Sequence, residues 1–404
     1  MKLGCVADDY TGATDLAGLL RRSGASVKLH FGLPKAPSNG LTDIEIIALK
    51  CRTEPVDQAI SDCADAAHWL LAGGAEQLYW KYCSTFDSTA QGNIGPVAEA
   101  LMAVTGQTQA LYCPAFPENG RAVFMGHLFV ADQLLNESSM KDHPLTPMTD
   151  ANLARVLAPQ VEGSVAIWNR VDQKQGIPIP DATHIIGDAV EFADLEFLIE
   201  NTPANVLLTG SSALALPLPN HRGIGFTLDI VNSKPDSRAI VLSGSCSLMT
   251  QQQVARYVVN NPSYQLHPEG LGEAAIQDCI YWLQSLPPSE TPLVYATASP
   301  EAVRAAQCVL GVEEAGAIVE RAMGQIAQKA FEMGVRRFVV AGGETSGAVT
   351  RALRVSEVII GSEICPGVPW VFSGSNSNLI GLALKSGNFG SPSFFDDALA
   401  LLED

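Results

Sequence analysis

Short apolar runs that alternate with helical patterns constrain the fold of this chain more than any other feature of its sequence. In the first half, helical spacing of apolar residues is clearest over 11–23 and 55–73. Around these segments lie predicted strands at 2–7, 26–31, 44–49, 77–81, 109–113, 165–168, 183–186 and 205–208. This alternation is typical of an α/β protein whose sheets are largely parallel.

The alternation of strand and helix patterns is interrupted once and then resumes, which predicts two α/β domains, at residues 1–230 and 238–404. The segment 214–238 is rich in Pro, Gly and charge, as expected of a connection between domains. Within the first domain, the polar stretch 131–150 predicts an ordered excursion or lid. After the connection we expect strands at 239–243, 293–297, 337–341, 357–360, 368–372 and 379–385, with helices at 250–260, 271–286, 301–332, 345–353 and 392–402.

Charge and cysteine content exclude several classes of partner. The formal net charge of −18 gives a field that repels nucleic-acid backbones and anionic membranes. Nine scattered cysteines without CxxC spacing fit a reducing compartment. No apolar run reaches the ~18 residues of a membrane span, and no signal peptide is evident. We expect a cytoplasmic protein without nucleic-acid or membrane partners, for which a homodimer is possible.

Polar residues follow the carboxyl ends of predicted strands, where open α/β sheets bind ligands. Asp8, Asp9 and Thr11 lie between the first strand and the first helix. Two adjacent carboxylates can bind a metal or sugar hydroxyls, or act as a general base. The alternative is a capped helix start, for which one Asp would suffice.

A second group of polar residues follows the strand at 77–81. The segment KYCSTFDSTAQGN at 81–93 combines a lysine, a carboxylate and several hydroxyls, which suits a polyhydroxylated or anionic ligand. Such loops also occur as simple turns. Arg52 and Arg121 follow two other strands, and each could form a two-pronged pair with a carboxylate or lie on the surface.

Three Gly-rich loops follow strands of the second half, at 243–247, 342–347 and 385–390. Glycine lets a backbone approach a phosphate, and a helix N-terminus offers unpaired N–H donors. One such loop is common in any α/β protein, but three in one domain favour a nucleotide or phosphate site. No Gly-Lys dipeptide occurs, so this is not a Walker A loop.

Taken in order, seven motifs resemble the four-carbon acid sugar kinase family. The resemblance runs from Leu3 to about Phe395. Within the family, KYCSTFDST followed by Ala-Gln-Gly is most similar to the branch that phosphorylates 3-oxo-tetronate. The motifs are ADDYTGATD (7–15), KYCSTFDSTAQGNIGPV (81–97), PAFPENGR (114–121), GSCS (244–247), GGETSGAVT (342–350), EICPGVPW (363–370) and LALKSGNFG (382–390).

The resemblance implies a sugar-acid domain, an ATP domain and an active site in the cleft between them. It implies transfer of the γ-phosphoryl group of ATP, with Mg²⁺, to the 4-hydroxyl of a four-carbon sugar acid, with 3-oxo-tetronate as the first candidate. D-threonate, D-erythronate and L-threonate stay open as alternative acceptors. A nucleotide-binding sugar-acid sensor without catalysis is the alternative of another class.

The resemblance also assigns roles to residues, while the metal ligands stay open. Two positions depart from the family pattern, because Cys365 stands where Ala is expected and Arg354 where Gly is expected. The expected catalytic residues are Asp9, then Asp8, and Lys81. The expected substrate-binding residues are Asp8, Thr11, Arg52, Lys81, Ser84, Asp87, Ser88, Thr89 and Arg121. The expected nucleotide-binding residues are Ser245, Gly342, Gly343, Glu344, Thr345, Ser346, Gly347, Lys385 and Gly387.

Overall fold

The computed structural model of the chain divides into two compact units, Met1–Leu228 and Asp229–Asp404. Within the described residues, no helix is both long and apolar enough to cross a membrane. The structure describes residues 1–38, 42–142, 146–224, 235–236, 238–298, 308, 311–374, 378–385 and 387–402.

Parallel strands form the centre of the first unit. Its strands are β1 (Leu3–Ala7), β2 (Val27–Phe31), β3 (Ile44–Ala48), β4 (Gln77–Lys81), β5 (Gln109–Cys113), β6 (Arg121–Phe124), β7 (His127–Val130), β8 (Gln133–Leu134), β9 (Val165–Trp168), β10 (His184–Gly187) and β11 (Val206–Gly210). Its helices are α1 (Tyr10–Arg22), α2 (Val56–Ala72), α3 (Ile94–Thr105), α4 (Leu153–Leu157), α5 (Arg170–Lys174), α6 (Phe192–Asn201), α7 (Ser212–Ala215) and α8 (Leu218–His221). The order β2–β3–β1–β4–β11–β5–β10–β9 is parallel throughout. All residues of β1 and β3 are buried, as expected of parallel strands covered on both faces.

The second unit has a mixed sheet with one reversed strand. Its strands are β12 (Ala239–Ser243), β13 (Ser263–Gln265), β14 (Leu293–Tyr295), β15 (Arg337–Ala341), β16 (Glu357–Cys365), β17 (Val368–Ser373) and β18 (Ile380–Lys385). Its helices are α9 (Leu248–Tyr257), α10 (Glu273–Ser285), α11 (Val312–Glu332), α12 (Gly343–Ala352) and α13 (Phe394–Ala400). The order is β13–β14–β12–β15–β18–β17–β16, and only β17 runs against its neighbours. The prediction of an α/β protein with largely parallel sheets is confirmed.

The polar excursion predicted at 131–150 is in part a small antiparallel sheet, β6–β7–β8, that begins ten residues earlier. Its first turn places Met125 at φ 52° and Gly126 at φ 71°, the conformation of a type I′ hairpin, which usually has Asn or Gly in the first position. The buried Asp188 carboxylate accepts hydrogen bonds from the N–H groups of Met125 (2.6 Å) and Gly126 (2.9 Å). A long-range contact therefore stabilises a turn that the local sequence does not signal. Residues 143–145 of the excursion lie outside the described residues.

The predicted connection at 214–238 is wrong at its start. The two prolines there lie at or next to the first residues of α8, a position that proline tolerates, and α7 and α8 belong to the first unit. Residues 225–234 and 237 lie outside the described residues. So do 301–307 and 309–310 of the helix predicted at 301–332, and α11 begins at Val312.

The backbone at Arg354 explains why glycine is expected at this position in the family pattern. After α12, Arg354 adopts φ 55°, and Val355 N–H donates to the Thr350 carbonyl at 2.9 Å. This is the Schellman end of a helix, which favours glycine because a Cβ is strained at positive φ. The family's glycine fits this backbone, and the exposed Arg354 does not.

We expect Arg354→Gly to raise Tm by about 1–3 °C, because relief of the left-handed strain outweighs the chain entropy of glycine by about 0.5–1 kcal/mol. Arg354→Ala keeps the Cβ and serves as the control. Differential scanning calorimetry of both variants checks this. An Ala variant as stable as the Gly variant would contradict the explanation from φ.

Candidate functional site

Three neighbouring strands of the first unit end at one group of polar residues. β1 lies between β3 and β4, with Ala7 in register with Ala48 and with Lys81. Beyond the strands, Asp8 N–H donates to the Lys81 carbonyl at 3.0 Å, and Cys51 N–H donates to the Asp8 carbonyl at 3.1 Å. The parallel register therefore brings together residues that are more than 40 positions apart in sequence.

Arg52 lies among three carboxylates. Its Nε and Nη2 donate to the two oxygens of Asp8 at 2.7 and 2.9 Å, and Nη2 lies 3.0 Å from Asp9 Oδ1. Its Nη1 lies 3.8 Å from Asp87 Oδ2, which is beyond hydrogen-bond distance. Although burial opposes its charge, Asp8 and Asp9 raise the pKa of Arg52 well above its ordinary value. Arg52 therefore stays a cation and lies between the motif at 7–15, which carries Asp8 and Asp9, and the motif at 81–97, which carries Asp87.

Asp8 and Asp9 differ in access to solvent. The Asp8 side chain is 4 % exposed, and burial raises the pKa of its carboxyl against the opposing charge of Arg52. The Asp9 side chain is 30 % exposed. Asp9 Oδ1 accepts from Gly12 N–H at 2.9 Å, so Asp9 caps α1, whereas Thr11 is exposed in the first turn.

Lys81 is buried beside the start of α1, where its Nζ donates to the Tyr82 carbonyl at 2.9 Å. A Cβ at Gly12 would lie 2.8 Å from Lys81 Nζ and 2.4 Å from Asp9 Oδ1. Since Cβ atoms do not approach other atoms so closely, glycine at position 12 is what lets both charged groups lie against the helix.

The loop after Lys81 is held in a strained conformation. Phe86 is buried at φ 52°, and its ring packs edge-on against Tyr82 with centroids 5.4 Å apart. Positive φ costs a non-glycine residue about 1–3 kcal/mol, and such strain persists only where the surroundings impose it. Thr85 Oγ1 donates to Asp87 Oδ1 at 2.5 Å, which orients the carboxylate toward Arg52.

The other predicted residues of the first unit vary in placement. Ser88 Oγ is buried without a hydrogen-bond partner in the described residues, while Ser84 and Thr89 are half-buried. Arg121 is the first residue of β6, and its guanidinium donates to the Asn119 carbonyl. No contact described in the structure joins Arg121 to Arg52, and its role as a carboxylate ligand stays a prediction.

The three Gly-rich loops of the second unit meet in space. They follow β12, β15 and β18, which are adjacent and parallel, with Ala341 in register with Ser243 and with Lys385. A Cβ at Gly244 would lie 2.2 Å from Thr345 Oγ1, and a Cβ at Gly387 would lie 2.6 Å from Ser245 Oγ. The loops therefore approach each other as closely as glycine allows.

The second of these loops opens onto a helix N-terminus. Gly342, at φ 121°, is the N-cap of the ten-residue α12 and offers no side chain to the first turn. No described side chain caps the N–H groups of that turn, and a helix N-terminus of this kind favours an anion. Gly343 and Glu344 are exposed there, while Thr345 and Gly347 are buried and Ser346 Oγ is buried without a partner in the described residues.

Lys385 lies beneath the loops and is only 1 % exposed. Its Nζ donates to Thr250 Oγ1 at 3.0 Å and to the Gly387 carbonyl at 2.9 Å. Burial lowers the pKa of Lys385 to about 8, and the nearby Cys365 opposes this shift. Lys385 therefore supports the loop from below instead of reaching out to solvent.

Two residues that hydrogen-bond to the predicted polar loops were not predicted from the sequence. Thr250 Oγ1 accepts a hydrogen bond from Lys385 Nζ and donates one to the Gly387 carbonyl at 2.7 Å. Asn93 donates to the carbonyls of Cys51 and Glu54. Asn93 lies inside the 81–97 motif, but nothing in the sequence indicated a contact with residues 51–54. Nothing in the sequence distinguishes Thr250 from other threonines.

Two family models match the chain, one in each unit. The model of a sugar-binding N-terminal domain matches residues 3–218, and the model of a nucleotide-binding C-terminal domain matches residues 240–395. The chain belongs to the four-carbon acid sugar kinase family.

Members of the family resemble the chain over its full length. The 3-oxo-tetronate kinase of Pseudomonas savastanoi pv. phaseolicola is 47 % identical, covering 99 % of this chain and 97 % of the relative. The 3-oxo-tetronate kinase of Haemophilus influenzae is 40 % identical, covering 98 % of each. A crystal structure from Salmonella typhimurium LT2 matches with TM-score 0.90 at 38 % identity, covering 98 % of both chains. A crystal structure from Haemophilus influenzae matches with TM-score 0.84 at 38 % identity, covering 99 % of this chain and 100 % of that one.

The lowered pKa of Lys385 predicts a pH dependence of nucleotide affinity. Below about pH 8 the ammonium is charged, and above it the proton is lost. We expect the Kd for ATP to rise about tenfold between pH 7.5 and 9.5, because the positive charge beneath the loops is lost, and a tenfold change corresponds to about 1.4 kcal/mol. Isothermal titration calorimetry of ATP binding measures this.

Lys385→Met is the matched variant, with weaker ATP binding and a flat pH profile. Cys365 does not titrate in this range, because burial raises its pKa to about 11. A wild-type Kd for ATP that is constant between pH 7.5 and 9.5 would refute the role given to Lys385. The same rise of Kd with pH in Lys385→Met would also refute it.

Proposed function

We propose that this protein transfers the γ-phosphoryl group of ATP to the 4-hydroxyl of a four-carbon sugar acid, and that the acid is 3-oxo-tetronate. The observation that carries the proposal is the full-length similarity to proteins named 3-oxo-tetronate kinase, at 40–47 % identity over 98–100 % of the chain. The polar groups of the two units supply the two kinds of site that this reaction needs.

The first unit offers groups suited to a sugar acid. Arg52 Nη1 is the guanidinium nitrogen that no described carboxylate approaches within hydrogen-bond distance, so we place the acid's carboxylate there. Lys81 supplies a second positive charge nearby. The hydroxyls of Ser84, Ser88 and Thr89 would bind the oxygens along the carbon chain, and the unpartnered Ser88 Oγ supports this assignment.

Asp9 is the carboxylate best placed to act on the attacking hydroxyl. Both oxygens of Asp8 accept from Arg52, whereas Asp9 is more exposed and uses only Oδ1 in the contacts described. We propose that Asp9, with Asp8 second, orients the 4-hydroxyl and accepts its proton as the O4–P bond forms and ADP leaves.

The second unit would hold the phosphates of ATP through backbone N–H groups. We assign this role to the loops at Ser245 and Gly387 and to the first turn of α12, with Lys385 as a buried charge beneath them. In the described residues no three His, Cys, Asp or Glu side chains cluster as a metal site. Mg²⁺ commonly uses one or two carboxylates together with substrate phosphates. We therefore propose that Mg²⁺ enters with ATP, where it would neutralise phosphate charge.

The role of Asp9 can be separated from its capping of α1. Asn and Asp cap helices about equally well, so Asp9→Asn should change Tm by less than about 2 °C. We expect kcat to fall at least about 100-fold, the usual contribution of a general base. A coupled ADP-release assay with a thermal melt checks both. Full turnover in a folded Asp9→Asn variant would remove Asp9 from the chemistry.

The substrate is tested by ADP release with a panel of acids. We expect 3-oxo-tetronate to give the highest kcat/KM, above D-threonate, D-erythronate and L-threonate. A higher kcat/KM for one of those three acids would revise the proposed substrate but would still support kinase activity. Binding of both ATP and an acid without any ADP formed would indicate a sensor and refute the proposed activity.

A further inference from the structure

We infer that Asn93 is a positioning residue, which fixes the loop that presents Arg52 to the acid substrate. The inference rests on the proposed function and adds to it a residue that acts through Arg52. It is carried by the contacts of the Asn93 side chain and by its burial.

The Asn93 amide reaches across the chain to the Arg52 loop. Its Nδ2 donates to the Cys51 carbonyl at 2.7 Å and to the Glu54 carbonyl at 2.9 Å. These two carbonyls flank Arg52, and the segment between them belongs to no helix or strand of the structure. The Asn93 side chain is buried, so water cannot easily replace it as the donor. One amide therefore satisfies two carbonyls of an otherwise irregular loop.

The asparagines that directly precede α3, α4 and α5 use their side chains in two different ways. Asn93 directly precedes α3 with helical backbone angles (φ −96°, ψ −6°), and its side chain makes no capping hydrogen bond. Asn152 and Asn169 precede α4 and α5 with extended backbones and do cap, because Asn152 Oδ1 accepts from Arg155 N–H and Asn169 Oδ1 accepts from Val171 N–H, both at 3.0 Å. The Asn93 side chain is therefore not used by its own helix, and its amide donates to the Arg52 loop instead.

The loop is tied at its other side to Asp8. Cys51 N–H donates to the Asp8 carbonyl, and the Arg52 guanidinium holds the Asp8 carboxylate. Asn93 also belongs to the motif that carries Asp87, the third carboxylate near Arg52. Loss of the amide would remove two of the hydrogen bonds that hold the loop. Because substrate positioning is sensitive to displacements of about 1 Å, we expect the acid to bind more weakly.

The first test compares Asn93→Ala with Asn152→Ala, a buried N-cap asparagine of the same unit. We expect Asn93→Ala to raise KM for 3-oxo-tetronate about tenfold and to leave KM for ATP within about twofold, which is the loss of one to two hydrogen bonds. Asn152→Ala should lower Tm and leave both KM values unchanged. An unchanged acid KM in folded Asn93→Ala would overturn the inference, as would an equal rise in both KM values.

The second test asks whether Asn93 acts through Arg52. In an Arg52→Ala background, Asn93→Ala should add less than about twofold to the acid KM, because the group that it positions is gone. Full additivity of the two substitutions would contradict the inference.

The third test does not depend on the reaction. Hydrogen–deuterium exchange of the 51–54 amides should be faster in Asn93→Ala and unchanged in Asn152→Ala. If the wild-type protein forms no ADP with any acid, the proposed function fails, and this exchange experiment still decides whether Asn93 holds the loop. Unchanged exchange in Asn93→Ala overturns the inference whatever the activity.

Discussion

The two-pronged pair between Arg52 and Asp8 is the interaction on which the first unit's polar site depends. It joins the segment after β3 to the end of β1, and the same guanidinium reaches Asp9 and approaches Asp87. Removing Arg52 would leave the buried Asp8 carboxylate without the cation that pairs with both of its oxygens. The pair therefore sets both the shape and the charge of this site.

The charge at this site limits how an anionic substrate could bind. Three carboxylates surround one guanidinium, in a chain whose formal net charge is −18. An acid would meet repulsion on most approaches, and the favourable positions lie near Arg52 Nη1 and Lys81. Such an arrangement discriminates by geometry, because only an anion whose carboxylate and hydroxyls fit these positions together avoids the surrounding aspartates.

Much of this could be predicted from sequence, since parallel strands end at a common edge. The register of β1, β3 and β4 follows from buried apolar runs, so Asp8, Arg52 and Lys81 could be expected to meet. The role of Asn93 could not, because a residue before a helix suggests a cap and only the fold shows its amide turned to residues 51 and 54. The hairpin at Met125 was missed for a similar reason, since its stabilising partner, Asp188, lies 63 positions away.

The polar loops of the second unit differ physically from the charged group of the first unit. Its loops make close glycine contacts, and the buried ammonium of Lys385 lies beneath them, where its described hydrogen bonds go to a hydroxyl and a carbonyl. A buried cation hydrogen-bonded only to neutral groups is destabilised, as its lowered pKa shows. A phosphate anion bound above it would relieve that destabilisation and raise the pKa. If the proposed nucleotide binds at these loops, part of the cost of burying Lys385 would be offset on binding, and a charged ligand would be favoured over a neutral one.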